Sequence, residues 1–316
     1  GGGTPSLMEP KYLEEILDHL KKHFTIDENA EVTMETNPGT VDKTKLKQFK
    51  ESGINRISIG IQSFDEDELK FLTRIHDKQT AIQTVFNTAE VGFENISVDL
   101  IFNLPNQTKE KWIENLETAV TLPIKHLSAY SLILERGTIL NKMVLDKKVT
   151  MQDDDYDADL YETTIDFLIS KGFYQYEVSN FTKPGFECVH NNAYWRYRDY
   201  LSFGTSSHSF VDGKRWWNYS SLKKYISEIE LNNHAIMNSE TISNEQMHDE
   251  YVMLALRSSG LDLNEYKTLF SEEWINKSYP YLKMLQKENL IELNQSIIKL
   301  TSKGYAVCDE ILKNIL

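Results

Sequence analysis

The sequence predicts an α/β fold in which parallel strands wind into a partial barrel, followed by a smaller α+β appendage. Three observations predict it. From Gly1 to about Leu134, segments rich in Val, Ile and Met alternate with helical patterns closed by Gly or a polar turn, the rhythm of βα units and a parallel sheet. Near the carboxyl end, helical patterns lead instead into two short apolar strands, Leu290 to Leu293 and Ile297 to Leu300, a winged-helix-like order. The 316 residues, 40% hydrophobic and 26% charged, suit one large domain with a smaller partner.

Taken in order, Pro10 begins a first helix in which Leu13, Ile16, Leu17, Leu20 and Phe24 keep helical spacing. A strand follows at Glu31 to Glu35, then a helix after Asp42 that stops at Gly53, then the strand Arg56 to Gln62. The pattern continues with a helix from about Thr80 to Val91, the strand Ile96 to Phe102, a helix capped by Thr108, and the strand His126 to Leu132. The chain opens on a glycine-rich turn that in βα folds normally follows a strand, so the barrel is expected to be truncated at its N-terminus. Beyond Asp153 a long helix runs to Gly172, and an aromatic strand is expected from Tyr174 to Asn180. Asp212-Gly213 between Ser207 to Val211 and Lys214 to Trp217 is a hairpin signature. Ser243 and Gln246 have capping-box spacing ahead of a helix through Leu256. Helices at Leu263 to Phe270 and Trp274 to Glu288, the two short strands and a closing helix complete the chain. These elements divide it into a partial barrel at 1–150, a barrel extension at 151–240 and the appendage at 241–316.

Charge and thiols narrow the function. Lys plus Arg is 34 against 48 for Asp plus Glu, a formal charge of −14, which opposes a general nucleic-acid backbone binder despite the winged-helix pattern. No apolar run reaches the roughly 20 residues of a membrane span. Cys188 and Cys308 have no metal-ligand spacing, cannot fill an iron-sulfur shell, and fit a reducing cytoplasm.

The candidate site is read from the strand mouths, where parallel barrels hold their ligands. Gly1-Gly2-Gly3-Thr4-Pro5 exposes backbone to a close-approaching zwitterion. Glu35, Gln62 and Asp99 lie at or near strand ends, and Arg74 follows Gln62. A carboxylate accepts from ribose hydroxyls, an amide donates or accepts, and a guanidinium clamps a carboxylate, so the set suits a nucleoside bearing an amino acid.

The Gly-Gly-Gly-Thr-Pro start, Met-Glu-Thr-Asn-Pro, Ser-Ile-Gly-Ile-Gln-Ser-Phe, Leu-Thr-Arg-Ile-His, Val-Asp-Leu-Ile and Leu-Ser-Ala-Tyr-Ser-Leu together resemble the oxygen-independent coproporphyrinogen III oxidase family of radical-SAM proteins, in order and over almost the whole chain. The resemblance implies a radical-SAM barrel. It also implies that Gly2, Gly3 and Thr4 hold the methionyl end of S-adenosylmethionine and Glu35 its ribose or amino-acid part. Gln62, Arg74 and Asp99 correspond, in the oxidase branch, to contacts with a second such molecule. Members of that family carry CxxxCxxC for a [4Fe-4S] cluster; that triplet is absent here, so the cluster is expected only in a full-length protein and oxidase activity is not expected of this chain.

Tyr-Glu-Val-Ser-Asn-Phe followed by Cys188-Val189-His190-Asn191-Asn192-Ala193-Tyr194-Trp195 is similar to the heme-chaperone branch, marked by His-Asn-x-x-Tyr-Trp. A neutral imidazole is a good axial heme ligand, so His190 is the expected iron ligand; Tyr194 offers a phenol and Trp195 an aromatic cover. Cys188 is the alternative ligand. His208 resembles a cavity-lining position, and His76 is expected to pack or cap. The resulting expectation is a chaperone that binds heme and S-adenosylmethionine and delivers heme to an acceptor protein, with a homodimer left open. The alternatives are an anaerobic coproporphyrinogen III oxidase and a degenerate barrel that binds partners.

Overall fold

A computed structural model describes residues 3–294 and 296–316. The chain divides into two units, Gly1–Glu187 and Cys188–Leu316. In the first, β1 (Thr33–Thr36), β2 (Arg56–Gln62), β3 (Asn95–Phe102) and β4 (His126–Ser131) pair in parallel, and β5 (Tyr174–Gln175) and β6 (Asn180–Thr182) extend the sheet with antiparallel pairing. The strand order β1-β2-β3-β4-β6-β5 is that of an open partial barrel wall. The parallel α/β sheet of a partial barrel read from the sequence is therefore present, with β2 at its expected bounds and β1, β3 and β4 shifted by one or two residues.

The helices between the strands begin where short polar side chains satisfy the first backbone N–H groups. Asp42, Asp77, Thr108 and Asp153 each accept a bond from the backbone N–H three residues on, starting Lys43–Glu51, Lys78–Glu90, Lys109–Val120 and Asp154–Ser170. One face of the sheet packs against these helices as a core in which Ile57, Ile59, Ile61, Val98, Leu100 and Leu127 are each 0% exposed. Trp112 is also fully buried, and its Nε1–H donates to Thr164 Oγ1 at 2.8 Å, joining two helices across that core.

Three departures from the sequence reading have local causes. The aromatic stretch Tyr174 to Asn180 is not one strand but two short antiparallel ones joined by a turn in which Asn180 N–H bonds to Glu177 O. The helix Glu66–Phe71 was not expected, although Asp65 caps it by accepting from both Asp67 and Glu68 N–H groups. The helix Ile139–Leu145 was also missed; it is only seven residues long and none of them is buried, although Thr138 caps it by accepting from the Asn141 N–H.

In the second unit, β7 (His208–Val211) and β8 (Lys214–Asn218) form the expected hairpin, with Asp212 at φ 50° and Gly213 at φ 71° as a primed turn demands. β9 (Ile236–Thr241) joins them as an unexpected third strand whose residues are all exposed. Ser243 and Gln246 make the full capping box of the helix Asn244–Leu256. β10 (Leu261–Asp262), β11 (Ile291–Leu293) and β12 (Ile297–Leu300) form a small antiparallel sheet beside the helices Leu263–Leu269 and Glu273–Lys287, matching the winged-helix-like pattern. Among the described residues no helix is long and apolar enough to cross a membrane.

Candidate functional site

The face of the parallel sheet opposite the core is polar. Strand pairing sets Glu35 beside Ser58 and Asp99 beside Ser128, while Ser58 Oγ donates to Asp99 at 3.3 Å, producing a row across four strands. A sheet face with this many hydroxyl and carboxyl groups is not built for packing, because each must be desolvated and satisfied. Asp99 registers the consequence: burial pushes its carboxyl up to about 6, nearby Glu35 adds to the rise, and Ser128 and Arg56 oppose it. Asp99 lies in the middle of β3 rather than at its mouth.

The row opens into a cleft of about 130 Å³ at the amino-terminal turn, where Gly3, Thr4, Glu35, Asn37, Gln62 and Asp99 converge. Ser6 is fully buried and shares hydrogen bonds of 2.9 to 3.0 Å with Thr36 and Thr40, tying the turn Pro5–Leu7 to the end of β1. Asn37 Nδ2 donates to Thr4 Oγ1 at 3.2 Å, which fixes the rim. Gln62 enters the cleft because β2 changes register between Ile59 and Gln62 and Gln62 itself takes φ 74°, a local kink that re-aims its side chain. Gly60 leaves the cleft open: a Cβ there would stand 2.9 Å from Gln62 Nε2 and 3.1 Å from Asn37 Oδ1.

Gly3, Thr4, Glu35, Gln62 and Asp99 are thus gathered as the sequence led one to expect, while Gly1 and Gly2 lie outside the described residues. Arg74 lines a neighbouring groove with His76 and Thr80 and reaches the rim only through Asn37, at 3.5 Å from Oδ1. His76 is buried and bonds through Nε2 to Ile61 O at 3.0 Å, and burial lowers its pKa, so it acts as a neutral brace. Ser58, Gly60, Asn37 and Ser128 were not singled out from the sequence. The alternation of Ser58 and Gly60 with Ile57, Ile59 and Ile61 was a usable signal, since polar or small residues every second position face away from an apolar core.

In the second unit, His190 and Tyr194 share one face of the helix Val189–Trp195 at four-residue spacing. Both are exposed, with ring centroids 4.7 Å apart in an edge-to-face contact. Trp195 is half-buried, so it offers only part of the expected cover. Cys188 at the helix start is 5% exposed, the setting of a packed thiol rather than an open ligand. His208 is exposed on β7 and stacks on Trp217 at 5.7 Å, a cross-strand pair.

The radical SAM superfamily pattern matches residues 1–119 and that of the HemN C-terminal domain matches 242–307. The heme chaperone HemW of Bacillus subtilis is 32% identical over 314 residues, covering 98% of this chain and 83% of its own length. The chain belongs to the HemW family of the radical SAM superfamily. The HemW of Escherichia coli is 38% identical over 217 residues, 68% of this chain and 56% of that protein. The coproporphyrinogen III oxidase of Escherichia coli, a radical SAM enzyme, superposes over 100% of this chain and 76% of its own with a TM-score of 0.82 at 21% identity, a likeness of fold. The superfamily is one of S-adenosylmethionine and iron-sulfur proteins. The cleft's acceptors, Glu35 and Asp99, and its amides fit an ammonium group and hydroxyls. At about 130 Å³ it is smaller than a closed small-molecule pocket, which holds roughly 300 Å³ or more, so it has room for one end of such a ligand. A cluster does not fit the donors present: Cys188 and Cys308 are both buried, and among the described residues no three His, Cys, Asp or Glu side chains form a metal-binding group.

Proposed function

We propose that this chain is a heme chaperone that binds heme through His190, binds S-adenosylmethionine in the cleft of the first unit, and passes heme to an acceptor protein in the cytoplasm. The observation that carries the reading is the exposed His190 on the Val189–Trp195 helix, edge-on to Tyr194, in a member of the HemW family. An exposed imidazole can approach iron directly, and a ligand on the surface can be surrendered to a partner, as a carrier requires.

S-adenosylmethionine, when bound, supplies a charged amino-acid end and ribose hydroxyls as handles. Glu35 and Asp99 accept from the hydroxyl or ammonium donors, Gln62 and Asn37 do either, and Gly3 and Gly60 allow backbone approach. Arg74, whose Nη1 stands 3.5 Å from Asn37 Oδ1, is the guanidinium next to the cleft's rim. No step is assigned to an iron-sulfur cluster, whose thiolates this chain does not provide.

Titrating the purified chain with hemin tests the reading. A saturable Soret shift is expected that His190→Ala reduces at least tenfold in affinity, while Cys188→Ser leaves it unchanged. An identical titration of His190→Ala and wild type rejects the ligand assignment. The oxidase alternative rests on fold likeness alone.

A further inference from the structure

Beside the His190 helix, and wholly within the second unit, is a pocket of about 260 Å³ that none of the expected site residues except Tyr194 touches. Its walls are apolar and aromatic: Tyr194, Tyr200, Phe210, Met253 and Leu254. Its shape is fixed by backbone. Tyr200 and Phe210 exchange N–H···O bonds of 2.8 and 2.9 Å, which hold their rings 6.1 Å apart. The helix Asn244–Leu256 closes the opposite side, anchored where Glu250 accepts from Arg215 Nη2 at 2.6 Å and from the Tyr197 hydroxyl at 3.0 Å.

The pocket and the proposed iron ligand are linked by stacked rings. His190 meets Tyr194 at 4.7 Å, and Tyr194 meets Tyr200 at 4.5 Å, both edge-to-face. A flat ligand whose centre lies at His190 therefore has a continuous aromatic path leading from the imidazole into this pocket. Two arginines border it. Arg215 is committed to Glu240 and Glu250. Arg198 is exposed and joins no ion pair among the described residues, so a charge complementary to a carboxylate stands at the rim.

We infer that this pocket receives a propionate-bearing edge of the porphyrin, ring methyls and propionate methylenes against its apolar walls and the carboxylate on Arg198 at its lip. The inference rests on the heme reading above and adds a second anchoring site to it. An apolar pocket with one cation at its lip suits a tetrapyrrole, in which a ring methyl stands next to each propionate on the same pyrrole. The volume accommodates a ring edge, not the whole macrocycle, in keeping with a carrier that holds its cargo partly exposed. A charge-assisted bond from Arg198 fixes which edge enters.

The test uses the whole chain with hemin and with hemin dimethyl ester, whose carboxylates are masked. Arg198→Glu is expected to weaken hemin about tenfold and to leave the ester unchanged, since only the charged ligand loses its partner. Leu254→Trp, which fills the pocket, is expected to weaken both ligands by about tenfold or more. Circular dichroism and melting curves certify that the variants are folded, and Arg198, being exposed, is the variant that cannot disturb a core. Equal loss of hemin and ester in Arg198→Glu, or wild-type affinities in a folded Leu254→Trp, overturns the pocket assignment while a His190→Ala defect leaves the heme reading standing. A wild-type chain that shows no saturable hemin binding overturns both.

Discussion

Replacing Asp99 by Asn is expected to make the protein more stable and a poorer binder of S-adenosylmethionine. In the folded chain burial pushes the Asp99 carboxyl from 3.8 up to about 6. The folded state thus holds this proton more tightly than the unfolded chain does, and stability is lost as pH rises from about 4 through about 6 and stays lost above. A rise of about two units corresponds to about 3 kcal/mol against the charged folded form. The Ser58 hydroxyl, at 3.3 and 3.4 Å from the two carboxylate oxygens, is too distant to offset that desolvation. Asn keeps an acceptor for the neighbouring hydroxyls and removes the charge. At pH 8 a gain of about 2–3 kcal/mol is expected, or about 5–10 °C in Tm for a unit of this size, and it should shrink toward nothing near pH 4. Paired calorimetric scans of wild type and Asp99→Asn at both pH values measure it. Isothermal titration with S-adenosylmethionine at pH 8 should show about a tenfold loss in the same variant, because the carboxylate is the stronger acceptor. A lower Tm at pH 8, or a gain independent of pH, refutes the placement of Asp99 as a desolvated binding carboxylate.

Glu177 is 1% exposed, its Oε1 has no partner among the described residues, and burial pushes its carboxyl up to about 7. Its penalty therefore develops as pH rises from about 4.5 through about 7, so Glu177→Gln should raise Tm at pH 8 and not at pH 4; thermal melts showing the reverse order contradict this. Gly60→Ala drives a Cβ against the Gln62 and Asn37 side chains, which can yield; S-adenosylmethionine affinity should fall about tenfold with Tm within about 2 °C of wild type, and unchanged calorimetric binding removes Gly60 from the cleft. In the second unit, a Cβ on Gly304 would overlap the backbone oxygen of Leu290, which cannot swing aside. Gly304→Ala should cost about 2 kcal/mol or more in urea unfolding followed by circular dichroism, and a wild-type midpoint is incompatible with this packing.

The sequence by itself determined what local physics controls. Asp42, Thr108, Asp153 and Ser243 start helices because a side-chain oxygen within one turn satisfies an N–H that has no helical partner, and Asp212-Gly213 turns a hairpin because both residues tolerate positive φ. Glu35, Gln62 and Asp99 could be proposed as neighbours since parallel strands present their ligands at one end, and the family resemblance named the ligand class. The tertiary structure alone decided which other groups join them. Ser58, Gly60 and Ser128 enter the polar row through inter-strand register, Arg74 is held to a neighbouring groove by the turn after Phe71, and Tyr200, Phe210 and Leu254 form a pocket only when a bridge and a helix bring them together. Register and helix docking are set by burial summed over the whole core, with Ile57, Ile59 and Ile61 on one face forcing Ser58 and Gly60 to the other. No short window of sequence contains that sum, which is why caps and turns were legible and the full membership of the site was not.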